Sequence, residues 1–109
     1  MFKKLSLELG GKNPNIIFAD CDYDKMLETT VRSSFANQGQ ICLCGSRIFI
    51  EESIYEKFKA DFIKKVSQLK VGIPFDSETN VGALVSRSHL EKVKSYIAIT
   101  AEEDGKVLF

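Results

Sequence analysis

Two residues of this chain, Cys42 and Glu8, have side chains and settings suited to covalent chemistry. Cys42 closes the run Phe35-Ala36-Asn37-Gln38-Gly39-Gln40-Ile41-Cys42, and Glu8 stands in Leu7-Glu8-Leu9-Gly10-Gly11-Lys12, 42 − 8 = 34 residues earlier. A thiol is a strong nucleophile through its thiolate fraction, and a carboxylate can take a proton from water. The pair suits a reaction that forms a thioester and then hydrolyses it. Gly39 allows a tight turn that can leave the sulfur exposed, with an oxyanion resting on the N–H of Cys42 itself. Each residue also has a plainer reading. A free cysteine is commonly a small buried hydrophobe, and simple alternation along residues 3–8 turns Glu8 to solvent.

The remaining polar candidates are weaker. Gly10-Gly11-Lys12 lacks the glycine spacing and the following hydroxyl of a phosphate-binding loop, so Lys12 reads as a surface or salt-bridge residue. Cys21, Cys42, Cys44 and the lone His89 match no zinc-ligand spacing, and no metal site is expected. A Cys42–Cys44 disulfide would close a small, strained ring. His89 and Lys92 stand one turn apart and share one side of a helix, where an ordinary exposed helix start is the simplest account.

These residues need elements to position them. Residues 3–8 read as a strand, as do Asn15-Ile16-Ile17-Phe18 and Ser46 to Glu51. Asp22 is placed to cap a helix in which Leu27, Val31 and Phe35 share a face. Ser53-Ile54-Tyr55-Glu56 and Ser88-His89-Leu90-Glu91 have the form of capping boxes. The first opens a helix with Ile54, Phe58, Phe62 and Val66 on one stripe, the second a helix with Leu90, Val93, Ile97 and Ala101. Gly72 to Gly82 is a turn-rich connection. Strands alternating with amphipathic helices predict an α/β fold with a largely parallel sheet and flanking helices. The expected core is Ile16, Ile17, Phe49, Phe58, Phe62, Val93 and Ile97. Residues 3–8 and the strand start at 105–109 have no evident partners, which predicts an internal piece of a longer protein with apolar edges.

Composition sets the outer bounds. At 109 residues and 44% hydrophobic the chain can build one compact core. Lys+Arg and Asp+Glu are both 15, a balance that gives no reason to expect nucleic acid or an anionic membrane as partner. No apolar run is long enough to span a bilayer, and residues 1–10 do not look like a signal peptide. Three cysteines, an odd number, point to reduced thiols in a cytoplasmic setting rather than a disulfide scaffold.

Leu7 to Lys12 and Phe35 to Ser46, in this order and at this spacing, resemble the glutamate and cysteine motifs of the aldehyde dehydrogenase superfamily. The connection Val71-Gly72-Ile73-Pro74-Phe75-Asp76, with Gly82 beyond, also follows that family's course, so the likeness runs along essentially the whole chain. Gln40-Ile41-Cys42-Leu43-Cys44 and Val31-Arg32-Ser33-Ser34-Phe35 are most similar to the aminomuconic and hydroxymuconic semialdehyde dehydrogenase group.

The resemblance implies that Cys42 is the nucleophile and Glu8 the general base, acting on a small aldehyde with NAD, or NADP, as cofactor. It implies that Leu9 passes its backbone near the nicotinamide and that His89 and Lys92 lie toward the cofactor ribose. Residues 1–10 would be the last strand of the cofactor-binding domain and 11–109 the incomplete N-terminal half of the catalytic domain, in a protein that is a homo-oligomer when whole. The family's upstream cofactor region and second oxyanion donor are not in this chain, so residues 1–109 alone are expected to be inactive. Two other classes remain open at this point: a catalytically silent fragment or interaction module, and a small redox thiol protein using Cys42 and Cys44.

Overall fold

The computed structural model describes residues 2–109. Two short parallel strands, β1 (Pro14–Ile17) and β2 (Arg47–Ile50), are joined through helix α1 (Tyr23–Phe35). Their register pairs Pro14 with Arg47 and Ile17 with Ile50. Helix α2 (Glu52–Val66) follows directly on β2, and α3 (Arg87–Glu102) comes after a long connection. A crossover helix is what lets two strands run parallel, so the predicted α/β class and parallel pairing both hold.

Period-two alternation decides what the sheet buries. Ile17 faces inward at 3% exposure and meets Leu27 of α1 and Phe58 of α2, at 5% and 2%. Ile48, Ile50, Ile54, Met26 and Phe62 pack around that centre. Burying a phenylalanine such as Phe58 stabilises by roughly 1.5–3 kcal/mol. Phe58 and Phe62 stack at 5.2 Å between centroids, and Phe35 approaches Phe62 at 6.1 Å. Ile16 and Phe49, expected in the core, lie on the opposite face of the pleat and stand exposed. Val93 and Ile97 are exposed as well, because α3 buries none of its residues.

Both predicted capping boxes shift by two residues. At α2 the cap is Glu51, not Ser53. The Glu51 carboxylate accepts the Ala19 N–H at 2.8 Å and the Ser53 hydroxyl at 2.7 Å, tying the helix entrance to the exit of β1. At α3 the cap is Ser86, whose extended backbone lets its hydroxyl accept the His89 N–H at 3.2 Å, while Ser88 lies inside the helix. Asp22 caps α1 as expected, accepting from the N–H of Lys25.

The strands expected at 3–8 and 105–109 do not form. Both stretches run without a ladder, since among the described residues no strand pairs with either. A strand is stable only when its backbone groups are paired. The connection from Leu69 to Gly82 closes on itself: Lys70 O accepts the N–H groups of Asn80 and Val81, and Val71 bridges Val81.

Candidate active site

Cys42 owes its position to the end of α1. After Phe35 the chain turns through Asn37, Gln38 and Gly39 with φ of 50°, 58° and 72°. Glycine enters this left-handed region freely and asparagine tolerates it, but Gln38 costs about 1–2 kcal/mol there. Three such residues in succession reverse the chain, which then forms a second turn in which Cys44 N–H donates to Ile41 O at 2.9 Å. The Ile41 N–H donates in return to the buried Cys44 sulfur at 3.2 Å. Cys42 sits inside this four-residue turn and is exposed. Its N–H meets no acceptor among the described residues.

The turn is anchored from two further sides. Gly45 N–H donates to Ser33 O and the Ser34 hydroxyl donates to Gly45 O, fastening the segment to α1. A Cβ at Gly45 would stand 2.8 Å from the Ser33 hydroxyl oxygen, so a larger residue there requires that hydroxyl to move. From the β1 side, the Asn13 side-chain amide donates to Cys42 O at 2.7 Å and to Cys44 O at 3.1 Å. Asn13 was not among the residues singled out from sequence. No local pattern marks it, because its partners lie about thirty positions downstream.

Glu8, Leu9, Gly10 and Gly11 line one wall of an open cleft of about 420 Å³, and Gly39, Gln40, Ile41 and Cys42 line the other. The two motifs are therefore brought together although Glu8 and Cys42 themselves lie outside the helices and strands. Glu8 is exposed on this wall. The space around Gly10 is open, with no atom within 4 Å of where a Cβ would stand. His89, at the start of α3, approaches the cysteine wall through Gln40, with Gln40 Nε2 and His89 Nε2 3.4 Å apart. Lys92 lies one turn further along α3, exposed and not among the cleft residues. Among the described residues no group of three or more histidines, cysteines or acids is placed to hold a metal ion.

The arrangement offers an exposed thiol, a neighbouring carboxylate and a free backbone donor at one open cleft. The model of the aldehyde dehydrogenase family matches residues 1–109. The chain is 55% identical over 105 residues to 2-aminomuconic semialdehyde dehydrogenase of Danio rerio, covering 96% of this chain and 22% of that protein. It is 42% identical over 106 residues to the 2-aminomuconic 6-semialdehyde dehydrogenase of Pseudomonas sp, covering 97% and 22%. Among solved structures, betaine aldehyde dehydrogenase from Staphylococcus aureus in complex with NAD+ superposes with a TM-score of 0.90 at 37% identity, covering 94% of this chain and 20% of that one. The chain thus spans about a fifth of the length of these relatives.

Proposed function

Because the chain belongs to the aldehyde dehydrogenase family, we propose that it carries the nucleophile and base of an NAD(P)-dependent enzyme that oxidises an aldehyde to the acid. The observation that carries this reading is the shared cleft: Glu8 and Cys42, 34 residues apart, line the same opening.

Cys42 acts as the nucleophile. Its thiolate adds to the aldehyde carbonyl carbon, forming a C–S bond and an alkoxide, and the Cys42 N–H is free to hold that oxygen. A bound NAD supplies the acceptor for the hydride that the tetrahedral adduct gives up. The thioester left on Cys42 is attacked only slowly by neutral water, so a base is required. Glu8 takes a proton from a water molecule in the cleft as the oxygen adds to the thioester carbonyl. The C–S bond then breaks, the acid departs, and the sulfur is restored.

The residues present fit a nicotinamide cofactor. Backbone rather than bulky side chain forms the Gly10–Gly11 part of the wall, and the open space at Gly10 supports close approach of a flat ring beside Leu9. The link from Gln40 to His89 supports a cofactor-facing role for the start of α3, with Lys92 one turn behind. On the same reading, residues 1–10 belong to the cofactor-binding side and 11–109 to the catalytic domain. The 2-aminomuconic semialdehyde dehydrogenases, at 55% and 42% identity, support a muconic-type semialdehyde as substrate. All three cysteines are free thiols, as a reducing cytoplasmic setting would keep them.

The test is turnover of the whole natural polypeptide with NAD and a panel of aldehydes that includes a muconic semialdehyde. Cys42→Ser should abolish NADH production, because a hydroxyl is far less ionised than a thiol. Near-normal turnover by that variant would remove Cys42 from the nucleophile's role.

A further inference from the structure

We propose that Asn13 is a positioning residue that clamps the Cys42 turn, and that the catalytic reach of Cys42 depends on its amide. The proposal rests on the reading of Cys42 as the nucleophile, and it goes beyond that reading in assigning a role to a residue outside the cleft.

Asn13 is fixed at both ends. Its backbone carbonyl accepts the Arg47 N–H at 3.2 Å, just ahead of the β1–β2 pairing, so the residue is held by the sheet. Its side-chain amide has two N–H bonds, and both are engaged, one with Cys42 O at 2.7 Å and one with Cys44 O at 3.1 Å. These two carbonyls flank Leu43 inside the turn that Ile41 and Cys44 close by their reciprocal bonds. Gripping two alternate carbonyls with one planar amide fixes the orientation of two peptide planes at once. The free N–H and exposed thiol of Cys42 are thereby left as the groups able to meet a ligand. Asn13 also follows Glu8 by only a few residues, and a Cβ on Gly11 would lie 3.3 Å from the Asn13 side-chain oxygen. One short stretch of chain thus bears the proposed base and holds the loop of the proposed nucleophile. The Ser33 carbonyl and the Ser34 hydroxyl hold only the later part of the segment, at Gly45.

The distinguishing variant is Asn13→Asp, which keeps the size and shape of the side chain and replaces both donors with acceptors facing two carbonyl oxygens. In the whole natural polypeptide the expected result is a fall in kcat of about tenfold or more, with the aldehyde KM changed less than about twofold. Misplacing a nucleophile by a fraction of an ångström lowers the rate without weakening substrate binding. Amide exchange should rise in residues 41–45 while α2 keeps its protection. Asn13→Ala, lacking the carboxylate, should behave in the same way and serves if the aspartate variant does not fold. Unchanged kcat, or a rise in KM alone, overturns the proposal. So does equal loss of protection in α2, which would make Asn13 a general stabiliser of the fold. Cys42→Ser is run alongside. If that variant keeps its turnover, the nucleophile reading fails, and the exchange comparison, which needs no turnover, still decides whether Asn13 clamps the turn.

Discussion

The Tyr23 hydroxyl donates to Asp61 Oδ2 at 2.8 Å, joining the first turn of α1 to the middle of α2. Lys57 Nζ reaches the same oxygen at 2.9 Å and lies 3.2 Å from the centroid of the Tyr23 ring. Three side chains thereby link the two helices that cover the core from one side.

This cluster predicts a pH dependence. The Lys57 hydrogen bond, and then that of Tyr23, hold the Asp61 carboxyl below its ordinary value. The folded state therefore favours the carboxylate. Its stabilising effect is fully present above the unfolded aspartate value of about 3.9 and is lost as pH falls through the lower folded value. On the alkaline side, the Asp61 hydrogen bond raises Lys57, so its contribution is present below about 10.4 and is lost as pH rises through the folded value. Thermal melts of Asp61→Asn should show a flatter acid limb than the parent. An acid limb of the same slope would show that Asp61 is not a source of it.

A second outcome separates the two serines at the start of α3. Ser86→Ala removes the hydroxyl that accepts the His89 N–H and should lower helix stability by about 0.5–2 kcal/mol. Ser88→Ala, inside the helix, should change it little. Helix-resolved amide exchange reads the difference, and a larger effect at Ser88 would restore the capping box read from sequence.

A third concerns Glu8. If it activates the hydrolytic water, Glu8→Gln leaves addition by Cys42 intact and slows release of the acid. Rapid mixing should then show a burst of NADH of about one equivalent followed by slow turnover, with a thioester trapped on Cys42 in acid-quenched samples. Loss of the burst together with turnover would place Glu8 in an earlier step.

Much of the local structure was legible from residue order, because local structure depends on neighbours. The Asp22 cap, the β-branched run before Glu51 and the four-residue spacing of Leu27 and Val31 all produce the elements they predict. The cap of each of α2 and α3 lies two residues before the serine of its sequence pattern. A serine and a glutamate three apart satisfy the pattern wherever they fall. At α2 the choice went to Glu51, whose carboxylate could also reach the end of β1 at Ala19. At α3 it went to Ser86, whose extended backbone aims its hydroxyl at His89.

What residue order determined by itself was the chemistry on offer: a thiol after a glycine turn, a carboxylate before a glycine pair, and an alternation of strands and helices. The likeness of its two motifs to the aldehyde dehydrogenases was also legible there, and the family match along residues 1–109 agrees with it. Tertiary structure decided which apolar residues form the core, because a strand buries one face only and Ile17 and Ile16 point to opposite sides of the pleat. It also decided that Glu8 and Cys42 share a cleft, and that Asn13 holds the turn that carries Cys42. Those relationships join residues about thirty positions apart. They exist only once β1 and β2 pair in register and bring Asn13 beside Arg47, which no local pattern of residue types encodes.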